Sequence, residues 1–175
     1  MFKIIACVNK KGVIGKNGNL IYHIPSDMKN FARMTTNNVV IMGRKTFESL
    51  PNGKPLKNRI NIILTSNKEY SVEASDNVYI VHSVEDAVDL CKAFFPDKEW
   101  FVIGGEKVYK AFFENNLISE MRLTVVDDDA DGDTILPTHN EALWRVYFET
   151  SPQRDEKCEH VFKYKILKKV DDGKF

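Results

Sequence analysis

The chain reads as an α/β protein: a mixed, mainly parallel eight-stranded sheet with about four flanking helices and an antiparallel C-terminal hairpin. Three observations predict this. Short β-rich runs alternate with helical patterns over the first two thirds of the chain, which points to parallel pairing through crossovers. The last strands follow one another with no helix between them and read as antiparallel. Val39-Val40-Ile41-Met42 shows no polar alternation, the pattern of a strand covered on both faces.

In chain order, the first strand is Phe2 to Val8. Gly12 to Gly18 follows; its glycine spacing is neither GxGxxG nor GxxxxGK[ST], so it reads as a mobile loop rather than a phosphate cradle. Ser26-Asp27-Met28-Lys29 is a polar start for a helix over Ser26 to Met34. The strand Val39 to Met42 breaks at Gly43 into Arg44, Lys45 and Thr46, and Thr46 to Leu50 can open a helix with free N–H groups. Such an edge collects phosphate, unless its cations merely face water. Strands Arg59 to Thr65 and Val78 to Val81 come next. Ser83 is the N-cap of a helix over Val84 to Phe94, with apolar spacing at Val84, Ala87, Val88 and Cys91. Strand Trp100 to Ile103 runs into Gly104-Gly105 and a helix over Glu106 to Asn115. Met121 to Val126, Trp144 to Glu149 and His160 to Leu167 complete the strands. The expectation is one domain over residues 1–168 and a short polar C-terminal tail over 169–175.

Composition narrows the function. At 175 residues the chain can bury a core without staples. Lys plus Arg and Asp plus Glu are both 25, so no net field draws it to nucleic acid or a membrane surface, and any anion site must be local. Cys7, Cys91 and Cys158 are odd in number and far apart, which argues against a disulfide frame or structural zinc and for a reducing cytoplasm. No apolar run approaches transmembrane length. Asp127 to Gly132 matches the first half of a calcium loop, but position twelve is Thr138 rather than a bidentate Glu. His23, His82, His139 and His160 share no ligand spacing, so no metal is expected.

Asp27 is the carboxylate in an odd place. It falls in the first turn of its helix, and Phe31 at i+4 shares its face. An acid there gains about 0.3–1 kcal/mol from the macrodipole whatever its function. A carboxylate beside an aromatic wall can also hold a flat, amidine-bearing heterocycle by paired charge-assisted hydrogen bonds, with the ring packed on Phe31.

Several segments, in order, carry a resemblance: Gly12 to Gly18 with Ile24-Pro25-Ser26-Asp27, Ile41 to Ser49, Arg59 to Ser66, Val102-Ile103-Gly104-Gly105-Glu106-Lys107-Val108-Tyr109, and Gly132-Asp133-Thr134. Over residues 1 to about 167 the chain resembles the bacterial-type, single-domain dihydrofolate reductase family. The resemblance implies reduction of 7,8-dihydrofolate to 5,6,7,8-tetrahydrofolate, by hydride transfer from NADPH to pterin C6 with protonation at N5. It makes Asp27 the active-site carboxylate, Thr124 its hydrogen-bonding support and Tyr22 a further catalytic position. Ile5, Ala6, Cys7, Met28, Phe31, Leu50, Leu56 and Ile103 would wall the substrate, although as bare sequence they could be core. Arg59 would clamp the α-carboxylate of the glutamate tail, a task suited to a planar bidentate donor.

For NADPH, Arg44 and Ser66 fall where the family contacts the 2′-phosphate, and Lys45 and Thr46 lie by the pyrophosphate. Gly104-Gly105 would carry an unusual cis peptide, with Glu106, Lys107 and Val108 opening the next helix and Tyr109 near the nicotinamide. Ala6, Ile14, Gly15, Asn19, Leu20, Gly43, Leu64, Thr65 and Ile103 complete the implied cofactor set. Asp133 would accept hydrogen bonds from backbone N–H groups of the Gly12 to Leu20 loop. The chain departs from the family in three places. Ile21-Tyr22 replaces the Pro-Trp of many bacterial members, Glu106 stands where some have a third glycine, and Lys45 stands where others have histidine. The implied partners are dihydrofolate and antifolate inhibitors, acting on a cytoplasmic monomer. Two other readings stay open: a related NADPH-dependent reductase of riboflavin synthesis, which would not need Asp27, Phe31 and Arg59 together, and a nonenzymatic pteridine or dinucleotide binder, which would not need a supported carboxylate.

Overall fold

A computed structural model describes residues 1–137 and 140–170. Thr138, His139 and residues 171–175 of the expected tail lie outside the described residues. The elements in order are β1 (Phe2–Asn9), β2 (Val13–Lys16), β3 (Asn19–Leu20), α1 (Pro25–Thr35), β4 (Val39–Gly43), α2 (Arg44–Glu48), β5 (Ile60–Leu64), β6 (Val78–Val81), α3 (Val84–Phe94), β7 (Trp100–Gly104), α4 (Glu106–Glu114), β8 (Ile118–Val126), β9 (Thr134–Ile135), β10 (Trp144–Glu149), β11 (Gln153–Arg154) and β12 (Val161–Lys169).

The main sheet runs β10-β12-β8-β1-β7-β4-β5-β6. β1, β7, β4, β5 and β6 are parallel, as is β8 against β1, while β12 is antiparallel to both β8 and β10. The mixed, mainly parallel architecture is therefore the one the sequence predicts. The expected eight strands gain a ninth, because β11 pairs with the start of β12. β5 and β6 are parallel although no helix separates them, so the crossover rule gave the right direction without its usual element.

The central strands behave as their composition demands. Val39, Val40, Ile41 and Met42 are fully buried, and Phe101 and Val102 beside them equally so. At about 25 cal/mol per Å² of apolar surface, such two-sided burial makes this part of the sheet a firm platform. α3 begins where Ser83 accepts a hydrogen bond from the Asp86 N–H, and it buries Ala87 and Cys91.

Four expectations need correction. Gly12 to Gly18 is not simply a loop: β2 pairs with both β3 and β9 in a separate three-stranded sheet, because the glycines allow backbone contact closer than side chains would. A Cβ on Gly15 would sit 2.7 Å from the Asn19 carbonyl oxygen. α2 starts at Arg44 rather than Thr46, so both cations lie in its first turn. β8 starts at Ile118, three residues before the expected Met121, since Ile118 joins the ladder to Phe2. β12 continues through Lys169, paired with Trp144, so ladder hydrogen bonding reaches the first residue assigned to the tail.

Candidate active site

α1 reaches the sheet with Asp27 in its first turn. Thr124 lies on β8 between Cys7 of β1 and Tyr164 of β12. Its Oγ1 donates to Asp27 Oδ1 at 2.5 Å across 97 residues of sequence. The expected carboxylate and its support thus meet. Burial pushes the Asp27 carboxyl above the ordinary carboxylate range, while the Thr124 hydroxyl pulls the other way. Met28, next along the helix, is 51% exposed and so stands at the rim rather than in the core.

Of the other residues expected in the substrate wall, Arg59 meets Phe31 along that helix, and the rest fall in β1 and in two apolar clusters. The Arg59 guanidinium lies 5.9 Å from the Phe31 ring centroid, and its Nε donates to Thr35 Oγ1 at 3.0 Å. Arg59 is partly buried, and desolvation lowers its pKa, yet a guanidinium remains charged and can still receive a carboxylate. Leu50, Leu56 and Ile103 pack together against the buried Val40, Met42, Phe47 and Ile63. Cys7 belongs to a second apolar cluster with Tyr22, Ile24 and Phe162. Ile5 and Ala6 are buried in β1, and the Ile5 carbonyl accepts from the Tyr109 hydroxyl at 2.9 Å.

A second arrangement forms where three adjacent parallel strands end together. Met42 of β4 pairs with Gly104 of β7, and Gly43 with Leu64 of β5, so the chain ends leading to α2, to α4 and to Thr65-Ser66 lie side by side. Nucleotides bind at such carboxyl-end crevices in open α/β sheets. The peptide between Gly104 and Gly105 is cis, as the resemblance implies, and Gly104 has φ +138°, a conformation that favours glycine. Added Cβ atoms would meet Val108 at 3.1 Å from Gly43 and Thr46 Oγ1 at 3.3 Å from Gly105. Gly43, Thr46, Gly104, Gly105, Val108 and Tyr109 therefore form one cradle. Arg44 and Lys45 open α2, Lys107 lies in the first turn of α4, and Ser66 is exposed just after the buried Thr65. These groups fit a phosphate-bearing dinucleotide: close backbone approach at the glycines, with cations beside them. Arg44 Nη1 meets Glu48 at 3.0 Å and its guanidinium stands 5.9 Å from the Tyr70 ring centroid, which holds it in place beside α2.

The Gly12 to Leu20 segment is tied to the acidic segment 127–133. Asp133 Oδ2 accepts from the Asn17 N–H at 2.8 Å, the role expected of it, and the Asp133 N–H donates to the Gly15 carbonyl at 3.1 Å. Lys10 pairs with Asp127 at 3.0 Å and Lys11 with Asp131 at 2.8 Å. Ile14 and Gly15 are buried, while Asn19 and Leu20 are exposed at the turn. Among the described residues no group of three or more His, Cys, Asp or Glu side chains could hold a metal ion. None of the described helices is long and apolar enough to cross a membrane.

A family model described as Dihydrofolate reductase matches residues 1–169. The chain belongs to the dihydrofolate reductase family. Relatives include a dihydrofolate reductase of Staphylococcus aureus, 33% identical over 168 residues that cover 95% of this chain and 98% of that one. A dihydrofolate reductase of Bacillus subtilis is 30% identical over 174 residues, covering 99% and 98%. The solved structure of dihydrofolate reductase from Enterococcus faecalis complexed with NADP(H) and RAB-propyl superimposes with a TM-score of 0.84 at 32% identity, over 98% of this chain and 97% of that one.

Two expected site residues have side chains engaged with other segments of the chain. The Tyr22 hydroxyl donates its single proton to Asp128 Oδ2 at 2.5 Å and accepts from Asn9 Nδ2 at 3.1 Å. Its hydrogen bonds thus join it to the acidic segment rather than to Asp27, and burial with Asp128 nearby pushes its pKa up to about 12. The Glu106 carboxylate accepts from the Ile135 N–H at 3.1 Å, which ties α4 to β9. Sequence reading missed the residues that hold others in position. Asn61 is fully buried; its side chain accepts from the Leu56 N–H at 2.9 Å and donates to the Leu56 and Arg59 carbonyls at 2.9 and 3.1 Å, fixing both. Asn9, also buried, accepts from the Lys11 and Val13 N–H groups, both at 3.0 Å, and donates to the Ala130 carbonyl at 2.8 Å. The available signal was a lone Asn within or beside an apolar strand run, Asn61 between Ile60 and Ile62.

Proposed function

We propose that this chain reduces 7,8-dihydrofolate to 5,6,7,8-tetrahydrofolate with NADPH, as a single-domain cytoplasmic monomer that also takes antifolate inhibitors. The observation that carries the reading is Asp27, half-buried and held by Thr124 at 2.5 Å on the helix that also presents Phe31. A nonenzymatic binder has no use for an acid whose burial raises its affinity for a proton. Asp27 binds the pterin N3 and 2-amino group and favours the N5-protonated form of the substrate. Thr124 donates to one carboxylate oxygen and leaves the other for that contact. Phe31, Leu50, Leu56 and Ile103 pack on the ring and exclude water, with Ile5, Ala6, Cys7 and Met28 completing the wall. Arg59, steadied by Thr35, receives the α-carboxylate of the glutamate tail.

NADPH would be held by the cradle of Gly43, Thr46, Gly104 and Gly105, with Lys45 and Lys107 near its pyrophosphate and Arg44 and Ser66 at its 2′-phosphate. Ala6, Ile14, Gly15, Asn19, Leu20, Leu64, Thr65, Ile103, Glu106, Val108 and Tyr109 complete that set. The bound cofactor supplies the hydride delivered to pterin C6. Tyr22, with its proton committed to Asp128, serves the closed loop rather than a water beside N5. The test is a spectrophotometric assay of NADPH oxidation on dihydrofolate: turnover is expected. Absence of turnover, with NADPH and pteridine still bound, would leave the nonenzymatic binder standing.

A further inference from the structure

α1 lacks a cap of its own. The residue before it, Ile24, offers no side-chain acceptor, and Pro25 has no N–H, so the first donor of the helix is the Ser26 N–H, next to Asp27. That donor is taken from 129 residues away: Asp155 Oδ2 accepts from it at 2.7 Å. The other oxygen, Oδ1, accepts from the Lys157 N–H at 2.9 Å, and the Cys158 N–H donates to the Asp155 carbonyl at 3.1 Å. One carboxylate therefore folds the turn between β11 and β12 and joins that turn to the helix bearing Asp27. The same turn braces the neighbourhood twice more. Cys158 packs in the apolar cluster of Cys7, Tyr22 and Ile24, and the His160 ring stands edge-on to Tyr22 with centroids 5.0 Å apart.

We infer that Asp155 is a positioning residue for the reduction of dihydrofolate, setting the place of Asp27 by capping α1 from the turn between β11 and β12. This rests on the proposed function. Asp155 touches neither substrate nor cofactor; it acts through the Ser26 N–H and the first helical turn. The backbone N–H groups of Lys157 and Ser26 hold its carboxyl below the usual carboxylate range, so it is an ionised acceptor at neutral pH.

The test compares Asp155→Ala with Asp155→Asn, whose carboxamide oxygen can still accept. Asp155→Ala is expected to lower kcat/KM for dihydrofolate about five- to tenfold, the scale of a lost helix cap, with KM for NADPH within about twofold of wild type. Asp155→Asn, which keeps one acceptor oxygen of the two, should recover part of the loss. In an Asp27→Asn background, Asp155→Ala should cost less than about twofold more, because residues acting through one group are not additive. An undiminished kcat/KM in Asp155→Ala, an equal effect on both substrates, or full additivity with Asp27→Asn would each overturn the inference. Amide exchange at Ser26 in the wild-type protein gives a measure independent of any variant's folding: protection is expected, and an unprotected amide removes the cap. If the wild-type protein fails to turn over dihydrofolate while the Ser26 amide is protected, the proposed function fails and the cap stands.

Discussion

Asp27, proposed as the catalytic carboxylate, carries a cost in stability in that role. Its folded-state pKa lies above the unfolded reference of 3.8, so the folded protein binds more protons than the unfolded chain as pH falls through that window. Its charge therefore opposes folding at neutral pH, and stability falls as pH rises from 3.8 through the folded-state value. Asp27→Asn should raise Tm at pH 7, with the gain vanishing in melts taken below pH 3.8. The same substitution should lower turnover by roughly 10²–10⁴-fold, partly recovered at acid pH where the substrate is already protonated. Near-normal turnover at pH 7 would remove Asp27 from the mechanism. Arg44 is the residue proposed to play the corresponding part for the cofactor. Its pair with Glu48 is half-exposed and worth about 0.3–0.5 kcal/mol, too little to withhold it from a 2′-phosphate. Arg44→Ala removes a charged hydrogen bond of roughly 1.5–3 kcal/mol, so KM for NADPH should rise about ten- to a hundredfold while KM for NADH barely moves. Equal effects on both cofactors would assign Arg44 to the pyrophosphate or the fold.

At the scale of elements, the β2-β3-β9 sheet decides how the Gly12 to Leu20 segment closes. Gly132 makes that closure possible by close approach: a Cβ there would lie 2.3 Å from Val13 Cγ1 and 2.4 Å from the Gly15 carbonyl oxygen. Gly132→Ala must push β2 away, at about 1–3 kcal/mol if the ladder stays intact, and should lower Tm as well as slow hydride transfer. Asp133→Ala separates those effects. It deletes an exposed acceptor for the Asn17 N–H, so Tm should barely change. Single-turnover hydride transfer or steady-state product release should alter, since lids of this kind gate turnover. Unchanged rates in both assays would uncouple the two segments.

The whole molecule joins two half-sites carried on different parts of one sheet. Asp27 and Thr124 meet across β1, β8 and α1, while the glycine cradle forms where β4, β5 and β7 end. Both halves are built on that sheet, so binding should couple to global unfolding rather than to a local element. NADPH at a hundred times its Kd should stabilise the fold by about 2.7 kcal/mol. For a chain of this size that is a rise of roughly 5–10 °C in Tm. Arg44→Ala at the same NADPH concentration should show a clearly smaller rise, read by differential scanning fluorimetry. An NADPH-independent Tm would contradict the cradle.

The parallel core, the order of its helices, the break at Gly43 and the Gly104-Gly105 pair were all legible in the residues alone. A short apolar run without alternation, broken by glycine, is consistent with a strand buried on both faces, and a glycine pair at a strand end suits close backbone approach. Local pattern determines local structure, and the ordered motifs point to one family. Most partners of those motifs were not legible; the family resemblance, and no pattern in the residues, set Thr124 beside Asp27. That Thr124 meets Asp27, that Asn61 grips Leu56 and Arg59, that Tyr22 turns to Asp128, and that Asp155 caps α1 are contacts made by strand register and loop closure. Hydrogen bonds between residues 97 and 129 positions apart leave no periodicity in a sequence, because only the folded backbone brings the donor and acceptor within reach.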